Sequence, residues 1–296
     1  MELLIYLILF LLVLIVSSTT NKLLPFLPLP LVQILLGIVI GLFLPNTDFH
    51  LNTELFLALV IGPLLFRESE EADITAILKH WRIIVYLIFP VIFISTLSLG
   101  GLAHLLWLSL PLAACLAVGA ALGPTDLVAF ASLSERFSFP KRVSNILKGE
   151  GLLNDASGLV AFQVALTAWT TGAFSLGQAS SSLIFSILGG FLIGFLTAMT
   201  NRFLHTFLLS VRATDIASEL LLELSLPLVT FFLAEEVHVS GIIAVVVAGI
   251  LKASRFKKIT LLEAQVDTVT ETVWHTVNFM LNGSVFVILG MELEMI

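Results

Sequence analysis

Apolar positions come in long blocks along this chain, and polar positions cluster in the short gaps between them. Residues 83–134 hold one charged side chain in 52, and residues 156–201 hold none in 46. A helix crosses the ~30 Å hydrocarbon core with about 20 apolar residues, so each block has room for a crossing or two. A transmembrane β-barrel would instead show ~10-residue segments of alternating polarity. The blocks predict an all-α chain with ten spans, near 3–20, 28–45, 51–66, 83–106, 110–133, 144–170, 182–208, 217–234, 238–253 and 270–290. Pro90, Pro124 and Pro227 fall inside them. Membrane helices tolerate such breaks because neighbouring helices satisfy the freed backbone groups.

Composition agrees with the pattern. Of 296 residues, 58% are hydrophobic and 12% charged, against about 25% charged in a soluble domain. The mean hydropathy is +1.08. Fourteen basic against 21 acidic residues give a net charge of −7, with no basic stripe for nucleic acid. The single cysteine, Cys115, rules out a disulfide framework and a cysteine zinc site. The first block follows Met1-Glu2 with no basic lead and no small-residue cleavage site, so it reads as a retained span.

Charge also orients the spans. Lys22 lies in the first loop; Arg67, Lys79 and Arg82 in the third; Arg136, Lys141, Arg142 and Lys148 in or beside the fifth. Arg202 and Arg212 lie at the seventh, and Lys252, Arg255, Lys257 and Lys258 at the ninth. The odd-numbered connections thus hold all fourteen basic residues. The positive-inside rule makes them cytoplasmic and places the N-terminus outside. Trp81, Trp107, Trp169 and Trp274 fall near span ends, where aromatic belts form.

A charge at bilayer depth costs roughly 2.5–3.5 kcal/mol on insertion scales, so each one needs a reason. Asp126, in Gly123-Pro124-Thr125-Asp126, lies about 16 residues into the fifth span, and Asp155 about 11 residues into the sixth. At ~1.5 Å per residue both fall near the midplane, with Glu150 shallower. The Gly123-Pro124 pair predicts a break in the fifth span. A broken span frees carbonyls that can hold ions. Acid, amide, hydroxyl and carbonyl oxygens suit an alkali cation better than zinc or copper. The competing reading makes the buried acids and glycines helix-packing devices. Glu219 and Glu223 read as solvated or snorkelling, Glu235, Glu236 and His238 as an ordinary outer loop, and Arg67-Glu68-Ser69-Glu70-Glu71 as a solvated face with Glu68 near an entrance.

At these residues the chain resembles the monovalent cation/proton antiporter family, in the branch of NhaP-type and eukaryotic Na+/H+ exchangers. Ala121–Ala129 is similar to the family's Thr-Asp-Pro segment, and Lys148–Ala156 to its Glu-Ser-Leu-x-Asn-Asp signature. Val239–Gly249 and Asn282–Gly290 resemble two later helices. The resemblance covers residues 1–296 as one transport domain, with core helices in 110–170. It implies that Asp155 binds Na+ (or Li+) and H+ alternately, that Asn154 stands in place of a second acid, and that exchange is electroneutral. Thr125 would supply an oxygen to the ion, and Asp126 would hold the break and contact Asn154. Glu150 matches a glutamate that pairs with an arginine on a later helix, and Glu68 is a pathway acid. It implies no cofactor and no enzymatic reaction. The setting would be a multi-pass protein of the plasma membrane, in lipid, as a homodimer.

Leu127 replaces the usual proline, Gly151 replaces a common serine, and Arg67 precedes Glu68 where many members place an acid directly. Family members run about thirteen spans, so ten imply a C-terminally shortened chain: a fragment, an interrupted gene, or one piece paired with a separate C-terminal fragment. The alternative is therefore an inactive remnant without transport of its own. A channel is disfavoured because no filter loop is present. An intramembrane aspartyl enzyme is disfavoured because Asn154 adjoins Asp155.

Overall fold

The computed structural model describes residues 2–24, 26–43, 52–72, 74–124, 139–171, 176–211, 215–253 and 261–294. Among them all regular structure is helical: α1 (Glu2–Leu23), α2 (Leu29–Phe43), α3 (Thr53–Phe56), a π-turn (Leu57–Ile61), α4 (Gly62–Glu71), α5 (Ile74–Leu106), α6 (Leu112–Ala121), α7 (Lys141–Thr171), α8 (Leu176–Ser210), α9 (Ile216–Glu236), α10 (Gly241–Ala253) and α11 (Leu261–Glu294). Each expected span overlaps described helix, but α5 starts nine residues before the fourth and α11 nine residues before the tenth, the third is divided among α3, the π-turn and α4, and the fifth is described only as far as Pro124. Phe185–Ser210, Ile216–Glu236 and Thr268–Leu293 are long and apolar enough to cross a membrane by themselves.

The π-turn has a local cause. Pro63 carries no N–H to give to the Leu59 carbonyl, and just before it the Gly62 N–H reaches back to Leu57.

The chain divides into two compact units, Met1–Leu64 with Ile259–Ile296, and Leu65–Lys258. In the first, α2 lies against α11 at van der Waals range through glycines. A methyl group at Gly37 would collide with the Val287 carbonyl, and one at Gly290 with the Ile34 carbonyl. Gly283 packs against Leu14 of α1 in the same way. Such small-residue contacts let membrane helices gain dispersion energy where water is not available to drive burial. Trp274 is fully buried on α11. It lies well inside a 34-residue helix whose apolar part alone was visible as a span.

In the second unit, α5, α6 and α7 form one packed group, and α8, α9 and α10 another. Gly100 and Gly119 make the α5–α6 crossing. A methyl on Gly100 would sit 2.9 Å from the Cys115 carbonyl oxygen, and one on Gly119 would strike the Thr96 carbonyl. Ile84 and Ile92 of α5 close over Ile146 and Ala161 of α7. Gly189, Gly190 and Gly194 of α8 meet Val239, Ser240 and Ala244 at equally short range.

Candidate cation site

The site begins where α6 stops. Leu122 caps the helix, its N–H still bonded to Val118, and Gly123 and Pro124 follow without helical structure. The expected break therefore falls where the Gly-Pro pair disfavours helix. It is held from two sides. A methyl on Gly123 would lie 2.8 Å from the Ser95 hydroxyl of α5, and one on Gly158 of α7 would run into the Pro124 ring.

Gly158 fixes which face of α7 meets the break. Glu150, Asn154 and Gly158 recur every four residues and so share that face. Glu150 and Asn154 are both buried, Asn154 completely. Asn154 thus lies one turn from the contact with Pro124, and Pro124 is bonded to Thr125. Asp155 is a helical residue of α7 beside Asn154. Its side chain lies outside the described residues, as do Thr125 and Asp126. Glu68 lies exposed on α4. An amide, a buried acid and a broken helix end make an oxygen-rich region suited to a hard cation. No group of three or more His, Cys, Asp or Glu that could hold a metal occurs among the described residues.

Sequence reasoning missed a second polar region in this unit. Lys252, in the last turn of α10, places its Nζ 3.1 Å from Glu70 of α4 and 2.7 Å from Glu223 of α9. Arg67 bonds Glu70 at 2.9 Å and Glu71 at 2.7 Å. His205 of α8 lies 3.4 Å from Glu219. Arg67, Glu70 and Glu223 are therefore part-buried and paired, and Glu219 is buried beside His205, which corrects the solvated reading; of these groups Glu71 stays largely exposed. The only sequence signal was opposite charge on three helix ends, and pairing depends on tertiary placement.

Glu235 is also no ordinary loop residue, since it accepts from the Gly241 N–H at 3.3 Å at the start of α10. The acid caps that helix where its dipole is positive. The α8–α9 pair carries a polar ladder of its own. Thr230 donates to Thr197 at 3.0 Å, and the Asn201 amide donates to the Leu222 carbonyl at 3.3 Å. With His205, these residues recur every four positions along α8.

The family profile described as "Sodium/hydrogen exchanger, transmembrane" matches residues 7–296. The chain belongs to this family. It is 39% identical over 278 residues to the "Sodium, potassium, lithium and rubidium/H(+) antiporter" of Bacillus subtilis, covering 94% of this chain and 42% of that protein. It is 28% identical to the "Na(+)/H(+) antiporter NhaH" of Halobacillus aidingensis, covering 88% of this chain and 66% of the relative. The chain spans less than half the length of the Bacillus relatives it matches. The sodium proton antiporter MjNhaP1 of Methanocaldococcus jannaschii superposes with a TM-score of 0.73 at 22% identity, over 98% of this chain and 71% of that structure. That likeness establishes the exchanger fold. The family makes the protein a multi-pass membrane protein.

Proposed function

We propose that the chain carries the cation-binding part of an electroneutral sodium (or lithium)/proton antiporter, with Asp155 as the one carboxylate that takes a cation or a proton in turn. The observation that carries this reading is the buried Asn154 face of α7, set by Gly158 against the Gly123-Pro124 break in a sodium/hydrogen exchanger fold. Asn154 in place of a second acid leaves Asp155 as the one acid of that pair to take the cation or the proton. Competition at one acid couples the two fluxes without further parts when access alternates. Thr125 supplies oxygen to the ion and Asp126 holds the break. Glu150 is a structural acid, and Glu68 stands on the approach.

The names of the relatives support a cation cargo, and that of the Bacillus subtilis protein spans sodium, potassium, lithium and rubidium. Protein partners follow the same reading: a homodimer in the plasma membrane. A direct test is the cation dependence of exchange at several pH values, for each of the four ions. Competition at one acid raises the apparent KM for the cation about tenfold per pH unit on the acid side and leaves the maximal rate unchanged. A maximal rate that falls at constant KM would contradict it.

A further inference from the structure

The cluster around Lys252 contributes nothing to the proposed exchange step, yet it is built as a cation site. Its side chain is only 9% exposed. The ammonium sits between the carboxylates of Glu70 and Glu223, and 5.4 Å from the centroid of the Phe66 ring. An aromatic face and two carboxylates from different helices surround the ammonium, and Glu70 shares its other oxygen with Arg67 at 2.9 Å, so Lys252 is the only one of the two cations that bridges both acids. The backbone holds the cage in place, since a methyl on Gly249 would lie 2.6 Å from the Phe66 carbonyl oxygen and 2.7 Å from Ser69 Cβ. The helix adds to the attraction, because Lys252 lies in the last turn of α10, where the dipole is negative.

We infer that Lys252 is a tethered cation filling a monovalent-cation cage formed by Glu70, Glu223 and Phe66, and that it keeps this cage closed to free alkali ions. Oxygen donors of this kind suit hard monovalent ions as well as an ammonium group. Removing the lysine charge takes away the cation the two acids share, and a free ion can replace it. The identity of the excluded ions as cargo rests on the proposed function, but occupancy of the cage does not require exchange.

The test is thermal melting of the purified protein in an Asp155→Asn background, so that the deep acid makes no contribution. Choline, lithium, sodium, potassium and rubidium chlorides are compared at equal ionic strength. Lys252→Met keeps the apolar stem and removes the charge. It is expected to melt below its parent in choline and to regain on the order of 3 °C in one or more alkali salts. Lys252→Met with Glu223→Gln is expected to lose that ion-specific recovery. Equal melting in all salts for Lys252→Met, or recovery that survives Glu223→Gln, overturns the inference. If Lys252→Met does not accumulate in the membrane, Lys252→Gln takes its place. Failure of both variants to fold in every salt makes the lysine a structural bolt and also overturns it. Exchange is not read in this experiment, so its result stands apart from the fate of the antiporter reading.

Discussion

Among the described residues His238 is the one non-glycine residue with a left-handed backbone, at φ 58°, and it sits in the turn that hands α9 to α10. The turn needs that geometry for Glu235 to reach the start of α10. His238→Gly is therefore expected to melt at or above the parent temperature, whereas the β-branched His238→Val loses about 1–2 kcal/mol. At the start of α9, Asp215 closes a capping box with Ser218, whose N–H donates to it at 2.7 Å. The Ser218 hydroxyl and then its backbone N–H hold the Asp215 carboxyl below its ordinary value of 3.8. A lowered folded-state value means the cap stabilises α9 above that ordinary value and fades as pH falls through the lower one. Asp215→Ala should thus lower the melting temperature at pH 7 and make much less difference in strong acid.

At the scale of elements, hydropathy located the helices because a bilayer demands long apolar runs, and those runs are local. It could not see where helices continue past the membrane. Hence α5 begins at Ile74 rather than near 83, and α11 spans Leu261–Glu294 rather than 270–290. The break after α6 was legible because Gly-Pro acts on its own neighbours. The Lys252 cage and the Glu235 cap were not, because residues distant in sequence form them. Glycine contacts were visible only as glycines, and their partners make their consequences testable. Gly158→Val drives a side chain into Pro124 and is expected to cost about 1–3 kcal/mol and to reduce exchange at unchanged membrane content. Gly101→Ala meets nothing within 4 Å and should leave both unchanged. In the α8–α9 ladder, Thr230→Val should cost about 0.6 kcal/mol, a usual worth for a hydrogen bond between membrane helices. Melting curves and vesicle exchange separate these cases.

At the scale of the whole molecule, the placement of every basic residue at alternate connections is the strongest long-range signal, and the positive-inside rule predicts from it a side for each helix end. Cys115 is fully buried and the only cysteine, so it provides a quiet background for labelling. Cysteine placed at Ser210 should react from the cytoplasmic side and cysteine at Val237 from outside; the reverse pattern would invert the orientation. The central claim concerns Asp155. The most direct measurement is sodium-driven proton movement in everted vesicles free of other antiporters, comparing the chain with Asp155→Asn at matched membrane content. The account predicts exchange that disappears in the variant. Sodium–proton exchange that persists in Asp155→Asn would contradict it.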